Sequence, residues 1–202
     1  MGPSQGDCAM SDEMSTPTAA GRPSNAKALV PLVVGAAVAI AIGTYGRVHD
    51  PAGRNTITLF FKDTLSFKAW MTTIALALAI FQLVSAARIY GRFPYPKVMP
   101  SWYGDAHRLS GTLAFACTLP VVFHCLWSLG FATRWDNPRT VIHSVAGCVF
   151  FGLFTAKVLS VRSHKLPGWM LPVIGSLAFA ALAVLWATSS LWFFTNKGFP
   201  QG

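Results

Sequence analysis

Long apolar stretches, broken by short segments rich in Pro, Gly and charge, alternate five times along the chain. Each is about 20 residues or longer, the length an α-helix needs to cross a hydrocarbon core of roughly 30 Å. The pattern predicts helices over 27–45, 63–90, 102–130, 139–162 and 169–194. Pro31 falls in the first turn of the first helix, where a missing N–H costs little. Asp63 is a good N-cap for the second. The stretch NTITLFFKD between these two is too short to span and reads as an interfacial segment. The connections GRFPYPKVMPS, ATRWDNP and SHKLPG carry the residues expected outside a membrane core. Trp70, Tyr90, Trp102, Trp127, Trp169 and Trp192 all lie near predicted helix ends, as in the aromatic belts of membrane proteins.

Composition agrees with that pattern. Of 202 residues, 53% are hydrophobic and only 11% charged. The fold class expected is therefore all-α, an integral membrane bundle of five transmembrane helices occupying 27–195. Residues 1–26 are small, polar and rich in Pro, Gly and Ser, and read as a disordered tail. Residues 196–202 form a short C-terminal tail. No apolar run precedes Cys8, so neither a cleaved signal peptide nor a lipoprotein site is expected. The formal net charge is +9, but in a membrane protein Lys and Arg mark loops kept on the cytoplasmic side, and no nucleic-acid partner is inferred. Nine of the 16 basic residues (Arg22, Lys27, Arg88, Arg92, Lys97, Arg108, Lys157, Arg162 and Lys165) fall on the side of the N-terminus. That places the N-terminus in the cytoplasm and the C-terminus outside a multi-pass cell-membrane protein. Cys8, Cys117, Cys125 and Cys148 have no metal-binding spacing. Packing is the expected role of those within helices, and no structural disulfide is predicted.

Candidate chemistry resides in the histidines. Ionisable groups are costly in hydrocarbon and generally face a bundle interior where they bind something. His107 and His124 lie at the two ends of the third helix, His143 and His164 at the two ends of the fourth. A short connection makes these helices antiparallel, so His124 and His143 reach similar depth near the outer face, and His107 and His164 could meet near the cytoplasmic face. The 17 positions from His107 to His124 and the 21 from His143 to His164 correspond to rises of ~25 Å and ~31 Å. Two haems stacked along the bundle fit that height, and one haem held by His124 and His143 is the minimum. On a helical wheel His143 and His164 differ by about 60°, His107 and His124 by about 100°. Pro120, one turn before His124, would kink the helix and re-aim that side chain. Gly111 follows His107 by four residues, and Gly147 follows His143 likewise, each clearing space for a flat macrocycle on the same face. Lys157 and Arg108 are candidate partners of haem propionates. His49, in the polar GRVHDPAGR connection, reads as solvated.

The segments HRLSG, LPVVFHCLW and IHSVAG, the last followed by a basic helix end, resemble membrane-embedded b-type cytochromes of the cytochrome b561-like and ferric-reductase-like kinds. The whole of 27–195 also resembles an uncharacterised family of small actinobacterial five-helix membrane proteins, which brings a fold, a bacterial inner membrane and no established activity. The cytochrome resemblance implies bis-histidine haem b, with iron bound by His107, His124, His143 and His164, and electron transport across the membrane. Two imidazoles on an iron leave no open coordination position, which suits electron transfer between a quinol or redox-protein partner and an acceptor. No GxGxxG or other nucleotide-binding signature is present, so the chain reads as an electron carrier rather than a self-contained enzyme. The alternatives are a proton or metal transport protein using intramembrane histidines, and a haem-free anchor subunit.

Overall fold

The computed structural model describes residues 25–53, 57–94, 98–131, 137–163 and 166–198. Residues 1–24 and 199–202 of the expected tails, together with Lys97, Arg134, His164 and Lys165, lie outside the described residues. Five helices are long and apolar enough to cross a membrane. They comprise α1 (Asn25–Val48), α2 (Thr64–Ile89), α3 (Tyr103–Phe123), α4 (Pro138–Arg162) and α5 (Met170–Trp186). Helix α3 continues into a π-helical turn, His124–Leu129, and α5 into another, Ala187–Leu191, before a terminal helix α6, Trp192–Lys197. No strand occurs among the described residues.

Local chemistry sets most of the helix ends. Asp63 caps α2, its carboxylate accepting the Ser66 backbone N–H at 2.7 Å and the Ser66 hydroxyl at 3.1 Å. Pro138 opens α4 behind the Asn137 cap, where its missing N–H is not needed. Helix α1 begins at Asn25, earlier than the sequence led us to expect, so Pro31 lies inside the helix rather than in its first turn. Residues 57–63 form turns and bends, as their length requires.

The faces are distributed as lipid demands. Val33, Ile40, Ile80, Val84, Leu109, Leu113, Val145 and Leu177 are all exposed. Inside, Thr72, Ser85, Ser110, Thr118, Ser128 and Ser190 are buried beside Phe67, Phe150 and Leu182. Hydrocarbon outside supplies no hydrogen bonds, so polar side chains turn inward and apolar ones outward. Thr72, for example, returns its hydroxyl to the Lys68 carbonyl at 2.8 Å.

Helix α3 packs along α2, α2 along α5, α5 along α4, and α1 lies outside against α4. The α1–α4 crossing is close because Gly35 and Ala39 face Gly152 and Ala156. A Cβ built on Gly35 would stand 2.5 Å from the Gly152 carbonyl oxygen. This is the small-xxx-small geometry of membrane helix pairs. Although a short connection joins α3 and α4, the two helices do not pack closely along their length. Open space separates the two helices, interrupted by Phe115 of α3 stacked flat on Phe154 of α4, ring centroids 4.0 Å apart, with Phe151 edge-on to Phe115. Phe150, 5% exposed, packs on Phe151 and Phe154 and joins Leu182 and Leu185 of α5. We expect Phe150→Ala to destabilise the protein by about 3 kcal/mol, measured by thermal unfolding in detergent.

Candidate functional site

The space between α3 and α4 is divided by these rings into two cavities, one above the other along the bundle. One, of about 420 Å³, is lined by residues of both π-helical turns, including Cys125, Thr188 and Ser189, and by Lys68, Arg139 and His143. The other, of about 690 Å³, is lined by Gln82, Arg92, His107, Gly111, Lys157 and Trp169 among others. Phe150 and Leu182 contribute to both walls. Both volumes fall in the range of small-molecule sites, roughly 300–1,000 Å³. Among the described residues, each wall is mainly apolar, carries two cations and one imidazole, and contains no Asp or Glu.

The two cavity histidines are anchored in the same way. His143 Nδ1 lies 3.0 Å from Thr188 Oγ1, and the Thr188 hydroxyl donates to the Val184 carbonyl at 2.7 Å. With that hydroxyl proton committed, the threonine oxygen accepts from Nδ1–H, which fixes the tautomer and leaves the lone pair on Nε2. His107 Nδ1 lies 2.6 Å from Ser85 Oγ, and Ser85 donates to the Gln82 carbonyl at 3.2 Å. Nε2 is again the nitrogen left for a ligand. The Gln82 carboxamide donates to the His107 carbonyl and, at 2.8 Å, to Ser110 Oγ. α2 and α3 are thereby clasped around the imidazole.

His124 has a different role. It is fully buried and lines neither cavity. Its Nε2–H donates to the Ile57 carbonyl at 2.8 Å, its Nδ1 lies 3.5 Å from Ser128 Oγ, and Phe67 and Phe123 stand edge-on to its ring. The segment after α1 is held from the same end of α3, with Ala52 N–H donating to the Trp127 carbonyl at 2.9 Å and Gly53 N–H to that of Ser128 at 3.1 Å. His124 thus secures the α1–α2 connection across the end of α3, and the expected convergence of His124 with His143 on one cavity does not occur. We expect His124→Ala to cost about 2–3 kcal/mol, because it removes a fully buried ring with its hydrogen bond to the Ile57 carbonyl and opens a void; thermal unfolding in detergent reads this directly.

The remaining sequence candidates divide. Gly147 faces open space beside His143, its nearest neighbour for an added Cβ being Leu185 at 3.9 Å. Gly111 lines the His107 cavity, but the clearance at its Cα is taken by Gln82, whose Oε1 would stand 2.9 Å from an added Cβ. Lys157 lines the His107 cavity and not that of His143. Arg108 lines neither. It is exposed and paired with Asp105 at 2.6 Å. His164 lies outside the described residues. His49, expected to be solvated, is stacked between Tyr45 and Trp127, with centroids 5.0 and 4.7 Å away.

Residues that sequence reasoning passed over complete the site. Arg139 donates to the Thr188 carbonyl at 2.5 Å and lies 4.1 Å over the Trp192 ring, tying α4 to the π-helical turn that presents Thr188. Such turns are frequent at functional positions because they displace side chains from α-helical phase. Cys125 Sγ lies 3.9 Å from His143 Nε2, with Lys68 against the same thiol. Lys68 had a signal in the sequence, a cation inside an apolar span.

Among the described residues, no group of three or more His, Cys, Asp and Glu converges as a metal cluster. No curated protein and no solved structure matches the chain. One family model matches residues 28–201, all five spans. The chain therefore belongs to DUF6529, a family of unknown function.

Proposed function

We propose that this protein binds haem b in the cavities between α3 and α4 and carries electrons through the membrane as a component of a redox system. The observation that carries the reading is the repeated donor set. Among the described residues, each cavity combines an apolar wall, two cations without an acid, and one imidazole whose Nδ1 is anchored by a hydroxyl. Such a set fits a flat apolar macrocycle bearing two carboxylates. His143 and His107 hold the iron through Nε2. Lys68 and Arg139 in one cavity, and Lys157 and Arg92 in the other, balance the propionates.

When bound, haem supplies one-electron chemistry. The chain does the rest. Thr188 and Ser85 fix the imidazole tautomers, the lipid-facing shell excludes water, and the Phe115–Phe154 stack with Phe150 keeps the two sites apart while bridging them with aromatic rings. His164 follows Val161, a residue of the His107 cavity wall, by three positions in the sequence and is our candidate for the second ligand there. A quinol or a cytoplasmic redox protein is the donor we propose, with the N-terminus in the cytoplasm, and any net catalysis belongs to a partner.

The test is the visible spectrum of the detergent-purified protein from haem-replete cells, oxidised and dithionite-reduced. A sharp reduced α-band, diminished separately in His143→Ala and His107→Ala and retained in His124→Ala, supports the reading. A colourless protein overturns it in favour of a haem-free anchor or a transport protein.

A further inference from the structure

We propose that Cys125 is the thiolate ligand that completes the iron site opposite His143. The inference rests on the haem reading and names the ligand that reading lacks at this cavity.

Three placements support it. Sγ stands 3.9 Å from His143 Nε2, the nitrogen that the Thr188 hydroxyl leaves with its lone pair. Metal–imidazole and metal–thiolate bonds placed end to end span about 4.3 Å, judged from zinc distances, so a rotation of either side chain by tenths of an ångström suffices. The two residues come from α3's π-helical turn and from α4, the helices that the cavity separates, so each approaches from its own side of the cavity. Lys68, only 7% exposed, lies against the thiol. A cation buried in a membrane span calls for an anion nearby, and among the described residues the cavity wall offers no carboxylate.

Helical phase supports the choice over His124. Adjacent side chains diverge by about 100°, so when His124 turns to the Ile57 carbonyl, Cys125 is the neighbour that turns to the cavity. The other described thiols lack this setting. Cys117 lines neither cavity, and Cys148, although it lines the smaller cavity, has its Sγ against Gly43 of α1, 3.6 Å from where a Cβ on that glycine would stand. On ligation the S–H bond breaks, a sulfur–iron bond forms and the proton leaves to solvent. No electron changes hands, and the Lys68 ammonium balances the charge left on sulfur.

The test uses full-length protein in detergent. Ferric EPR of the haem-loaded protein is expected to show a low-spin thiolate–imidazole signal in addition to any bis-imidazole signal. Cys125→Ser removes it while His143 retains haem, Cys125→His converts it to bis-imidazole and raises the midpoint potential, and Cys117→Ser leaves it unchanged. Should Cys125→Ser fold poorly, the wild-type apo protein gives an independent readout, since titration with hemin is expected to protect Cys125 from maleimide while Cys117 is labelled as before. Haem bound with spectrum and labelling indifferent to Cys125 overturns the ligand assignment and leaves the haem reading standing. Absence of haem from wild-type protein, with Cys125 labelled equally with and without hemin, overturns both.

Discussion

We expect His143→Ala to abolish the haem signal of the smaller cavity, lowering retention there by more than about 100-fold, and Thr188→Val to lower it about tenfold. The first change removes the nitrogen donor. The second keeps the volume of the side chain and removes only the oxygen that accepts Nδ1–H at 3.0 Å, so the ring loses its fixed tautomer and orientation. The ordering of the two effects is the diagnostic result. If His143 merely filled space between α4 and α5, Thr188→Val would be silent and His143→Ala would alter stability without altering colour. Haem-to-protein ratio, measured by the pyridine haemochrome, reads both variants. The larger cavity provides an internal reference, because its imidazole is anchored by Ser85 and is untouched by either change.

Gly152→Leu displaces α1 and lowers stability by about 3 kcal/mol or more, since backbone must move to admit the side chain. Even a methyl group at this position would lie 2.7 Å from the Gly35 carbonyl oxygen and 2.9 Å from Ala39 Cβ. Gly43→Ala, on the same helix pair, meets only the Cys148 sulfur at 3.6 Å and is expected to be tolerated. Thermal unfolding in detergent distinguishes the two. Helix α1 contributes Ile42 to the wall of the smaller cavity and nothing to the larger. Gly152→Leu is therefore expected to leave the haem signal of the larger cavity intact, separating the helix that encloses the bundle from the four that surround the candidate sites.

Much of the architecture was legible in the chain. Asp63 announces the start of α2 because its carboxylate satisfies an N–H three residues away, and a local bond of this kind needs no knowledge of the rest of the fold. The candidate site was legible only in part. His107 and His143 were recognised as ionisable groups in apolar spans, but the same reasoning applied equally to His124, which the tertiary structure assigns to the α1–α2 connection. Cys125 was read as packing for a sound general reason, that a buried thiol is usually a small hydrophobe. What changes its reading is Lys68 on α2 and His143 on α4, both distant in sequence. The shared glycine offset after His107 and His143 was informative for Gly147 and misleading for Gly111, where Gln82 from α2 fills the clearance.

By itself the sequence determined that five helices form and that they lie in lipid, because span length and apolar content are sums over neighbouring residues and the cost of exposing a backbone to hydrocarbon leaves no other solution. Only the tertiary structure decided which imidazoles face open space. That choice depends on hydroxyl and carbonyl partners 22, 45 and 67 positions away for His107, His143 and His124. It depends also on two π-helical turns that shift side-chain phase at the end of α3 and of α5. Pairings at that distance are set by how helices pack rather than by periodicity, so no reading of one span at a time can recover them.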